Sequence, residues 1–533
     1  MSADRTVVGA LRRRVAAGPD APFVRCGGDW ITLGRLDERS DRVATGLADL
    51  GVQAGERVAV LLPNREEIID LFFATTKLGA VLVPLNAFLK GEFLRYQLAD
   101  CDASVLVTDG PGLESAGLLL GLTGIKRLIL LDGVTGDGSV EEAAWADIAA
   151  GSDRTVPAAE PAVTDLVALI YTSGTTGLPK GCMLSHGYYV AGPQTLLECG
   201  WVEPGDRIFT TWPLFHSSGQ VVALMTALVA DGSVVFEPQF SATTFLARAV
   251  EEQATVLAGV GFMGLALLAQ PASAADRGHG IKRSFWIPMA PAAQIAFEER
   301  FGIPVLAEAF GQTECFPISM APASGERARH TLGPPTSNYE IALLGDDDTE
   351  VPPGVAGEIC IRPRTPGVMY SGYWNKPDET VAAWRNLWHH TGDMARRDEA
   401  GRLVFVDRKK DALRRRGENV SSLELEAAIL AHPGVAAVAV CAVASPVGED
   451  DIKACIVPAA GADLDPAGLF DYFKAHLPYF AVPRYVQLRD ALPTNALGRV
   501  MKHVLRSEGA PEGTWDLESL GLTVAREERR GAS

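Results

Sequence analysis

The segment 167–181, VALIYTSGTTGLPKG, carries the densest set of chemically useful side chains in the sequence. An apolar run at 167–170 fits a buried strand, and a stretch rich in hydroxyls and glycine follows it directly. The glycines let the backbone approach a ligand, the hydroxyls donate hydrogen bonds, and the lysine adds a positive charge. Such a turn is a suitable cradle for a polyphosphate. The residues predicted to bind phosphate are Thr172, Ser173, Gly174, Thr175, Thr176, Gly177 and Lys180.

This segment departs from the Walker pattern of P-loop proteins, in which the lysine follows the second glycine directly. Here Leu178 and Pro179 separate Gly177 from Lys180, so a P-loop kinase or ATPase is disfavoured. Pro179 also makes it less favourable for a helix to start directly under the phosphates. Taken alone, the segment could still be an ordinary surface loop, since clusters of Ser, Thr and Gly usually are.

Further segments downstream carry residues suited to nucleotide chemistry. A carboxylate such as that of Asp393 is the natural acceptor for the two hydroxyls of a ribose. The segments are TWPLFHSSG at 211–219, EAFGQTE at 308–314, TGD at 391–393, VDRKKD at 406–411, RGENV at 416–420 and LPTNALGRVMKHVLR at 492–506.

These segments resemble the motifs of the adenylate-forming superfamily and occur in the same order. At the phosphate loop the resemblance is nearly letter for letter. That group contains acyl-CoA synthetases, peptide-synthetase adenylation domains and firefly-type luciferases. The resemblance runs from about residue 10 to 525, and PYFAVPRYV at 478–486 and TWDLESLGL at 514–522 resemble the carnitine/crotonobetaine-type CoA ligase branch. It implies an α/β fold with a large N-terminal domain of stacked αβ sheets plus a β-subdomain, and a small mobile α+β C-terminal domain. The implied bounds are 1–407 for the N-terminal domain (331–407 including the β-subdomain), 408–411 for a hinge and 412–533 for the C-terminal domain.

The resemblance also implies roles for individual residues. Phe310 would stack on adenine, Thr313 would bind phosphate, and Asp393 would bind the ribose. Glu314 and Thr172 would hold Mg²⁺, which neutralises the triphosphate charge before a carboxylate attacks the α-phosphorus. The other residues expected to bind ATP or CoA are Glu308, Ala309, Gly311, Gln312, Val406, Arg408, Lys410, Gly417 and Glu418.

The acid pocket is expected to involve His216, although a lone histidine in an apolar stretch is more often a core residue. Amino-acid-activating relatives carry an Asp near this point, and Phe215-His216-Ser217 contains no acid, which argues against an α-amino acid substrate. In IPMAP at 287–291, Pro288 and Met289 stand where relatives often have glycines, so a long straight acyl chain is disfavoured. The predicted pocket residues are His216, Gly261, Met263, Met289 and Ala290.

The last motif departs from the family pattern Pro-x-Thr-x-x-Gly-Lys, whose lysine reaches the acyl carboxylate and the α-phosphate. Arg499 occupies the lysine position, and arginine is bulkier and forked, so the exchange is not conservative. Lys502 lies three residues on, one turn away if the segment is helical. We predict Lys502 as the catalytic cation, with Arg499 assisting.

Composition bounds the partners and the location. Alternating strand and helix patterns over residues 30–110 predict a mostly parallel sheet, and 533 residues suggest two to four domains. The net charge of −18 argues against a nucleic-acid partner. The protein is predicted to be cytoplasmic, because its eight cysteines are scattered and the sequence shows no signal-peptide pattern. Stable membrane insertion is not expected, because the longest apolar stretch is only Val221–Ala230. A homodimer is left open.

The implied activity is that of an AMP-forming acid–CoA ligase. ATP, Mg²⁺ and a small or medium carboxylic acid give an acyl adenylate and pyrophosphate, and the thiol of CoA then displaces AMP. One alternative is a specialised-pathway enzyme that passes the activated acid, or a small oxyacid such as nitrite, to an amine or carrier. Another is a non-catalytic nucleotide- or acyl-binding protein.

Overall fold

We describe the protein from a computed structural model of the chain. The structure describes residues 5–152, 160–172, 178–408, 412–415, 418–445, 450–493, 500 and 502–525.

Two seven-stranded sheets contain all the strands of the described residues before 307. One sheet has the order β14-β13-β12-β10-β11-β1-β2 and the other β7-β6-β5-β3-β4-β8-β9, with every neighbouring pair parallel apart from β1–β2 and β8–β9. The predicted parallel arrangement is therefore confirmed, in two sheets. The strands are β1 (Pro22–Cys26), β2 (Ile31–Thr32), β3 (Arg57–Leu61), β4 (Val81–Leu85), β5 (Val105–Thr108), β6 (Arg127–Leu130), β7 (Glu141–Ala144), β8 (Leu166–Thr172), β9 (Lys180–Ser185), β10 (Arg207–Thr210), β11 (Ser233–Phe236), β12 (Val256–Gly259), β13 (Arg283–Trp286) and β14 (Val305–Leu306).

Helices between these strands cover the sheets. Central strands such as β4 are buried at every position, which is why they read as continuous apolar runs. Among the described residues, no helix combines the length and the apolar character that a bilayer crossing needs. The helices are α1 (Val7–Ala17), α2 (Leu33–Asp49), α3 (Glu66–Leu78), α4 (Gly91–Asp100), α5 (Gly110–Ala116), α6 (Trp145–Ala150), α7 (His186–Glu198), α8 (Thr226–Val229), α9 (Phe245–Glu251), α10 (Gly261–Leu268) and α11 (Pro291–Phe301).

After β14, the last strand of the two large sheets, the chain forms a hairpin and then a small antiparallel sheet. The hairpin pairs β15 (Ala309–Gln312) with β16 (Cys315–Met320). The four-stranded sheet has the order β17-β18-β19-β20, and it is the β-subdomain that the family resemblance implies. Its elements are β17 (Tyr339–Leu344), β18 (Gly357–Pro363), α12 (Pro377–Ala383), β19 (His389–Arg397) and β20 (Leu403–Arg408).

The C-terminal part has a core of its own, built on a second four-stranded sheet of order β23-β24-β25-β26. Phe88 and Phe93, from the segment after β4, pack against this core. The α/β fold class is confirmed. Residues 409–411 lie outside the described residues, so the position of the hinge stays a prediction. The elements are β21 (Ala412–Arg415), β22 (Glu418–Ser421), α13 (Ser422–Leu430), β23 (Val435–Ala444), β24 (Asp450–Pro458), α14 (Pro466–His476), β25 (Tyr485–Leu488), α15 (Lys502–Ser507) and β26 (Trp515–Asp516).

Candidate active site

The predicted phosphate loop connects β8 to β9, two antiparallel neighbours at the edge of a sheet. Thr172, the last residue of β8, pairs directly with Lys180, the first residue of β9. The chain therefore continues after Pro179 as a strand, in agreement with the prediction that no helix starts there. Residues 173–177, which include Ser173, Gly174, Thr175, Thr176 and Gly177, lie outside the described residues.

Tyr373 joins the predicted magnesium ligand to the predicted phosphate-binding lysine. Its hydroxyl donates a hydrogen bond to Glu314 Oε1 at 2.9 Å, and Lys180 Nζ lies 4.8 Å from the centroid of its ring. Burial, and next the Glu314 carboxylate, raise the pKa of the Tyr373 phenol, so it remains a donor. Sequence reasoning did not single out this tyrosine, which lies 59 residues from Glu314.

The oxygen donors predicted to hold Mg²⁺ flank one buried thiol. Cys182 Sγ lies 3.8 Å from Thr172 Oγ1, and the same thiol interacts with the Glu314 carboxylate. Burial raises the pKa of Cys182 well above its usual range, and Glu314 raises it further, so the thiol stays protonated at neutral pH. The charged ligand available here is a carboxylate beside a hydroxyl, which are the hard oxygen donors that Mg²⁺ prefers. The residues present fit the ion.

A β-bulge presents the predicted ribose-binding residue. Cys360 of β18 pairs with His390 of β19, while Glu358 pairs with Met394, so the register shifts by two residues between the two pairs. The extra residues belong to the Thr391-Gly392-Asp393 segment. Bulges often re-aim side chains beside active sites, and this one places Asp393 opposite Arg408 of β20, whose backbone alone is described.

Gln312 connects the β15–β16 hairpin to this bulge. Its amide nitrogen Nε2 donates to Asp393 Oδ2 at 2.6 Å and to the carbonyl of Thr391 at 2.8 Å. Phe310 and Gln312 are half-buried, whereas Ala309 is buried and Gly311 is exposed. The hairpin β15–β16 therefore carries Gln312 next to Asp393, Phe310 two residues earlier on the same strand, and Thr313 and Glu314 in its turn.

The predicted acid-binding segment contacts the same turn. Ser217 Oγ lies 3.4 Å from Thr313 Oγ1. The backbone N–H of Ser218 donates to Nδ1 of His216 at 3.2 Å, so the neutral ring of His216 carries its proton on Nε2. His216 is half-buried, which suits a residue at the wall of a site.

Two of the other predicted pocket residues, Met263 and Met289, lie in one apolar cluster. Met263 and Met289 are buried in the same cluster as Trp286, and Thr211 Oγ1 lies 3.8 Å from Met263 Sδ, which joins this group to the His216 segment. Gly261 packs so closely that a Cβ there would lie 1.6 Å from the carbonyl oxygen of Pro288. Ala290 is exposed.

Glu308 makes its contacts inside the protein. Its carboxylate is 1% exposed and pairs with Arg327, whose Nη2 lies 2.7 Å from Oε1. Glu298 pairs with both Arg327 and Arg329 beside it. The predicted role of Glu308 at the nucleotide stays a prediction, but its carboxylate already serves to anchor the start of the hairpin.

The predicted C-terminal residues are only partly described. Lys502 Nζ lies 2.7 Å from Glu426 Oε1 and donates to Ser422 Oγ at 2.7 Å, so its ammonium is held by α13 of the C-terminal part. Val406 is exposed and Glu418 is described by its backbone alone. Lys410, Gly417 and Arg499 lie outside the described residues.

An aromatic chain links the acid-binding segment to the C-terminal part. Phe88 packs edge to face against Phe215 at a centroid distance of 6.3 Å and against Tyr479 at 4.9 Å. Phe215 directly precedes His216. Sequence reasoning missed Phe88, because only the folded chain brings these three segments together.

Comparison with known proteins gives the same assignment. Residues 11–374 match the AMP-binding enzyme family, and residues 424–499 match its C-terminal domain. The chain is 31% identical over 484 residues to a crotonobetaine/carnitine–CoA ligase of Salmonella paratyphi A (88% of this chain, 92% of the ligase). It is 32% identical over 498 residues to a feruloyl-CoA synthase of Amycolatopsis (93% and 97%).

Solved structures agree. The amide bond synthetase McbA of Marinactinospora thermotolerans has a TM-score of 0.82 at 26% identity, covering 93% of this chain and 99% of that one. The o-succinylbenzoate CoA synthetase MenE of Bacillus subtilis, a double mutant bound to a product analogue, has a TM-score of 0.82 at 25% identity, covering 93% and 98%. The chain therefore belongs to the AMP-binding enzymes of the adenylate-forming superfamily, and it is an AMP-forming ligase close to the acyl-CoA ligases.

Proposed function

We propose that this ligase activates a small or medium carboxylic acid other than an α-amino acid as its acyl adenylate, and then transfers the acyl group to the thiol of CoA. One observation carries the proposal. In the β15–β16 hairpin, Glu314 accepts a hydrogen bond from the hydroxyl of Tyr373, over whose ring Lys180 lies, and Gln312 donates to Asp393. Side chains suited to phosphate, metal and ribose thus meet at one hairpin.

In the first half-reaction the protein acts by positioning and by charge. Lys180, Thr172 and the loop that follows Thr172 hold the phosphates, while Asp393 accepts the ribose hydroxyls and Phe310 stacks on adenine. Bound Mg²⁺ would neutralise the triphosphate charge and polarise the phosphoryl oxygens. Tyr373 holds the Glu314 carboxylate in place for that ion.

The second half-reaction needs no enzyme nucleophile, because the adenylate is a mixed anhydride and is already activated. The family motifs support further contacts to the nucleotide or to CoA. These contacts are assigned to Val406, Arg408, Lys410, Gly417 and Glu418. Rotation of the C-terminal domain about residues 408–411 would bring Gly417 and Glu418 to the thiol. Such a rotation has to break the contact between Phe88 and Tyr479.

The acceptor could instead be an amine. The likeness to an amide bond synthetase, and the arginine at position 499 where the family has lysine, both support this second candidate. We favour CoA, because the relatives that match at 31% and 32% identity are CoA ligases. The free thiols, most of them buried, suit a cytoplasmic enzyme.

A screen of acids tests this function. The purified protein, Mg²⁺ and ATP are offered a panel of short-chain, branched, aromatic and amino acids, and pyrophosphate and AMP are measured with and without CoA. We expect a subset of the non-amino acids to release pyrophosphate, and CoA to accelerate AMP release. Faster AMP release with amines than with CoA would select the second candidate, and the absence of AMP with every acid would overturn adenylation itself.

Tyr373→Phe is expected to lower the rate of adenylation about 10- to 100-fold and to raise the Mg²⁺ concentration needed for half-maximal rate. The change removes one hydrogen bond to a carboxylate, worth about 1.5 to 3 kcal/mol, and keeps the ring under Lys180. Pyrophosphate exchange as a function of Mg²⁺ measures both effects. Tyr189→Phe is the matched control, since its buried hydroxyl donates to Gln220 Oε1 at 2.6 Å and to no residue predicted at the metal, and it is expected to leave the Mg²⁺ dependence unchanged.

Met289→Ala is expected to raise kcat/KM for bulky acids relative to small ones by about 10-fold or more, the usual value of a methylene in an apolar pocket. The variant also loses stability, by about 2 to 5 kcal/mol, because Met289 is buried. Leu267→Ala is the matched control: Leu267 lies in the same cluster but outside the predicted pocket. Equal shifts in acid preference for both variants would show that Met289 does not line the acid pocket.

A further inference from the structure

The β-subdomain contains a buried group of three metal-ligating side chains that the proposed reaction does not use. They are Glu358 and Cys360, two positions apart on one face of β18, and His390, the cross-strand partner of Cys360 on β19. One ligand atom from each lies within 4.8 Å of the other two. Glu358 is 3% exposed, Cys360 is 0% exposed and the His390 side chain is 5% exposed.

The spacing of the ligand atoms suits a tetrahedral zinc site. His390 Nδ1 lies 3.2 Å from Cys360 Sγ and 3.1 Å from Glu358 Oε2. With zinc–ligand bonds of about 2.0 to 2.3 Å, ligand atoms of a tetrahedron are about 3.3 to 3.6 Å apart. The two pairs that involve His390 need to separate by only a few tenths of an ångström to admit the ion, the Cys360 and Glu358 ligand atoms lie within 4.8 Å of each other, and water can complete the shell.

The second ring nitrogen of His390 has an outer partner in reach. Nε2 is buried without a hydrogen bond, and it lies 3.8 Å from Asp348 Oδ1. Ligation through Nδ1 moves the ring proton to Nε2, and metal-bound histidines usually donate that proton to a carboxylate. Ligation would therefore give a buried polar atom the partner it lacks.

Charge in the cluster favours a divalent cation. Asp348 and Glu358 are opposed by Arg385, whose Nη2 lies 2.8 Å from Asp348 Oδ1 and 3.8 Å from Glu358 Oε2, which leaves these three groups with a charge of −1. A divalent ion that displaces the Cys360 thiol proton to solvent adds +2 and −1, so the group becomes neutral. Cysteine and histidine select zinc over the hard cation Mg²⁺.

Glu358 can ligate a metal through one carboxylate oxygen and keep its present hydrogen bond through the other. Its Oε1 accepts the backbone N–H of Gly392 at 3.0 Å, within the bulge that carries Asp393, while Oε2 faces His390. We propose that Glu358, Cys360 and His390 form a structural site for Zn²⁺ or a cation of the same class, with Asp348 as the outer partner of His390. The ion stiffens the β-subdomain beside the bulge.

Cobalt titration tests the site directly. The full-length protein is stripped with a chelator, dialysed and titrated with Co²⁺, whose absorption spectrum reports thiolate ligation. We expect a thiolate-to-cobalt band that saturates at one equivalent, is bleached by Zn²⁺ and is absent in Cys360→Ala. Cys441→Ala, another fully buried cysteine, is the matched control and is expected to keep the band.

Thermal unfolding gives a second readout. It remains usable for a destabilised variant, because each variant is compared with itself with and without Zn²⁺. Equimolar Zn²⁺ is expected to raise the melting midpoint of the wild type but not that of Cys360→Ala or His390→Ala, because an ion that binds only the folded state stabilises it. Two results would overturn the site: no thiolate band with the wild type, or a band and a zinc-induced shift that persist in Cys360→Ala.

Discussion

Glu314→Gln is expected to reduce Mg²⁺-dependent adenylation about 10²- to 10³-fold, the range seen when one preorganised electrostatic contact to a transition state is removed. Gln keeps the size of the side chain and an oxygen that can accept the Tyr373 hydroxyl, so the local fold should survive. What it removes is the negative charge that, with the Thr172 hydroxyl on the other side of the Cys182 thiol, would hold the ion. The expected loss is therefore chemical and not structural.

Pyrophosphate exchange over a range of Mg²⁺ concentrations measures this change, with the melting midpoint as a check on folding. A raised Mg²⁺ requirement together with an unchanged midpoint would support the assigned role. Glu340→Gln, an exposed position on β17, is the control and is expected to leave both quantities unchanged. Full activity in Glu314→Gln would show that another residue holds the ion.

Local elements could be predicted well because apolar runs and turn residues define them. The apolar run RVAVLL predicts a strand from Arg57, and β3 covers Arg57–Leu61. The apolar spacing over Ile68–Leu78 predicts a helix, and α3 runs from Glu66 to Leu78. Gly79 closes it with φ 75°, a backbone conformation that glycine adopts at little cost. The motif order predicted the family, which the comparisons confirm.

Contacts between distant segments could not be predicted, because no local pattern encodes them. The bond from Gln312 to Asp393 spans 81 residues, and the one from Tyr373 to Glu314 spans 59. Each depends on how the hairpin, the β-subdomain and the edge hairpin β8–β9 meet in space. The two-residue bulge that presents Asp393 is likewise a property of strand register, which becomes visible only when β18 and β19 are paired.

The contacts of Lys502 favour Arg499 over Lys502 as the catalytic cation. The sequence predicted Lys502 first, yet the structure holds its ammonium between Glu426 and Ser422. Glu426 also accepts the backbone N–H of Val440 at 2.6 Å, so Lys502 belongs to a group that joins α15, α13 and β23. To reach an acyl adenylate, Lys502 has to leave that group. We therefore expect Arg499, at the family position, to carry more of the charge.

Arg499→Ala is accordingly expected to lower pyrophosphate exchange about 10²-fold or more while sparing thioester formation from supplied adenylate. Lys502→Ala is expected to cost about 1 to 3 kcal/mol of stability, because it leaves a largely buried Glu426 without its cation, and to affect exchange less. Exchange rates, thioester formation and unfolding free energies for both variants measure these effects.

Glu426→Gln separates the two roles of Lys502. If the lysine is structural, Lys502→Ala and Glu426→Gln destabilise the protein by similar amounts, and the double variant loses less than the sum, because both single changes break one interaction. If Lys502 is the catalytic cation, Glu426→Gln releases it and preserves exchange, while Lys502→Ala abolishes exchange. The second pattern would return the catalytic role to Lys502 and leave Arg499 as its assistant. The first would place the cation of this ligase at Arg499, where a forked guanidinium contacts the carboxylate and the phosphate in place of a lysine.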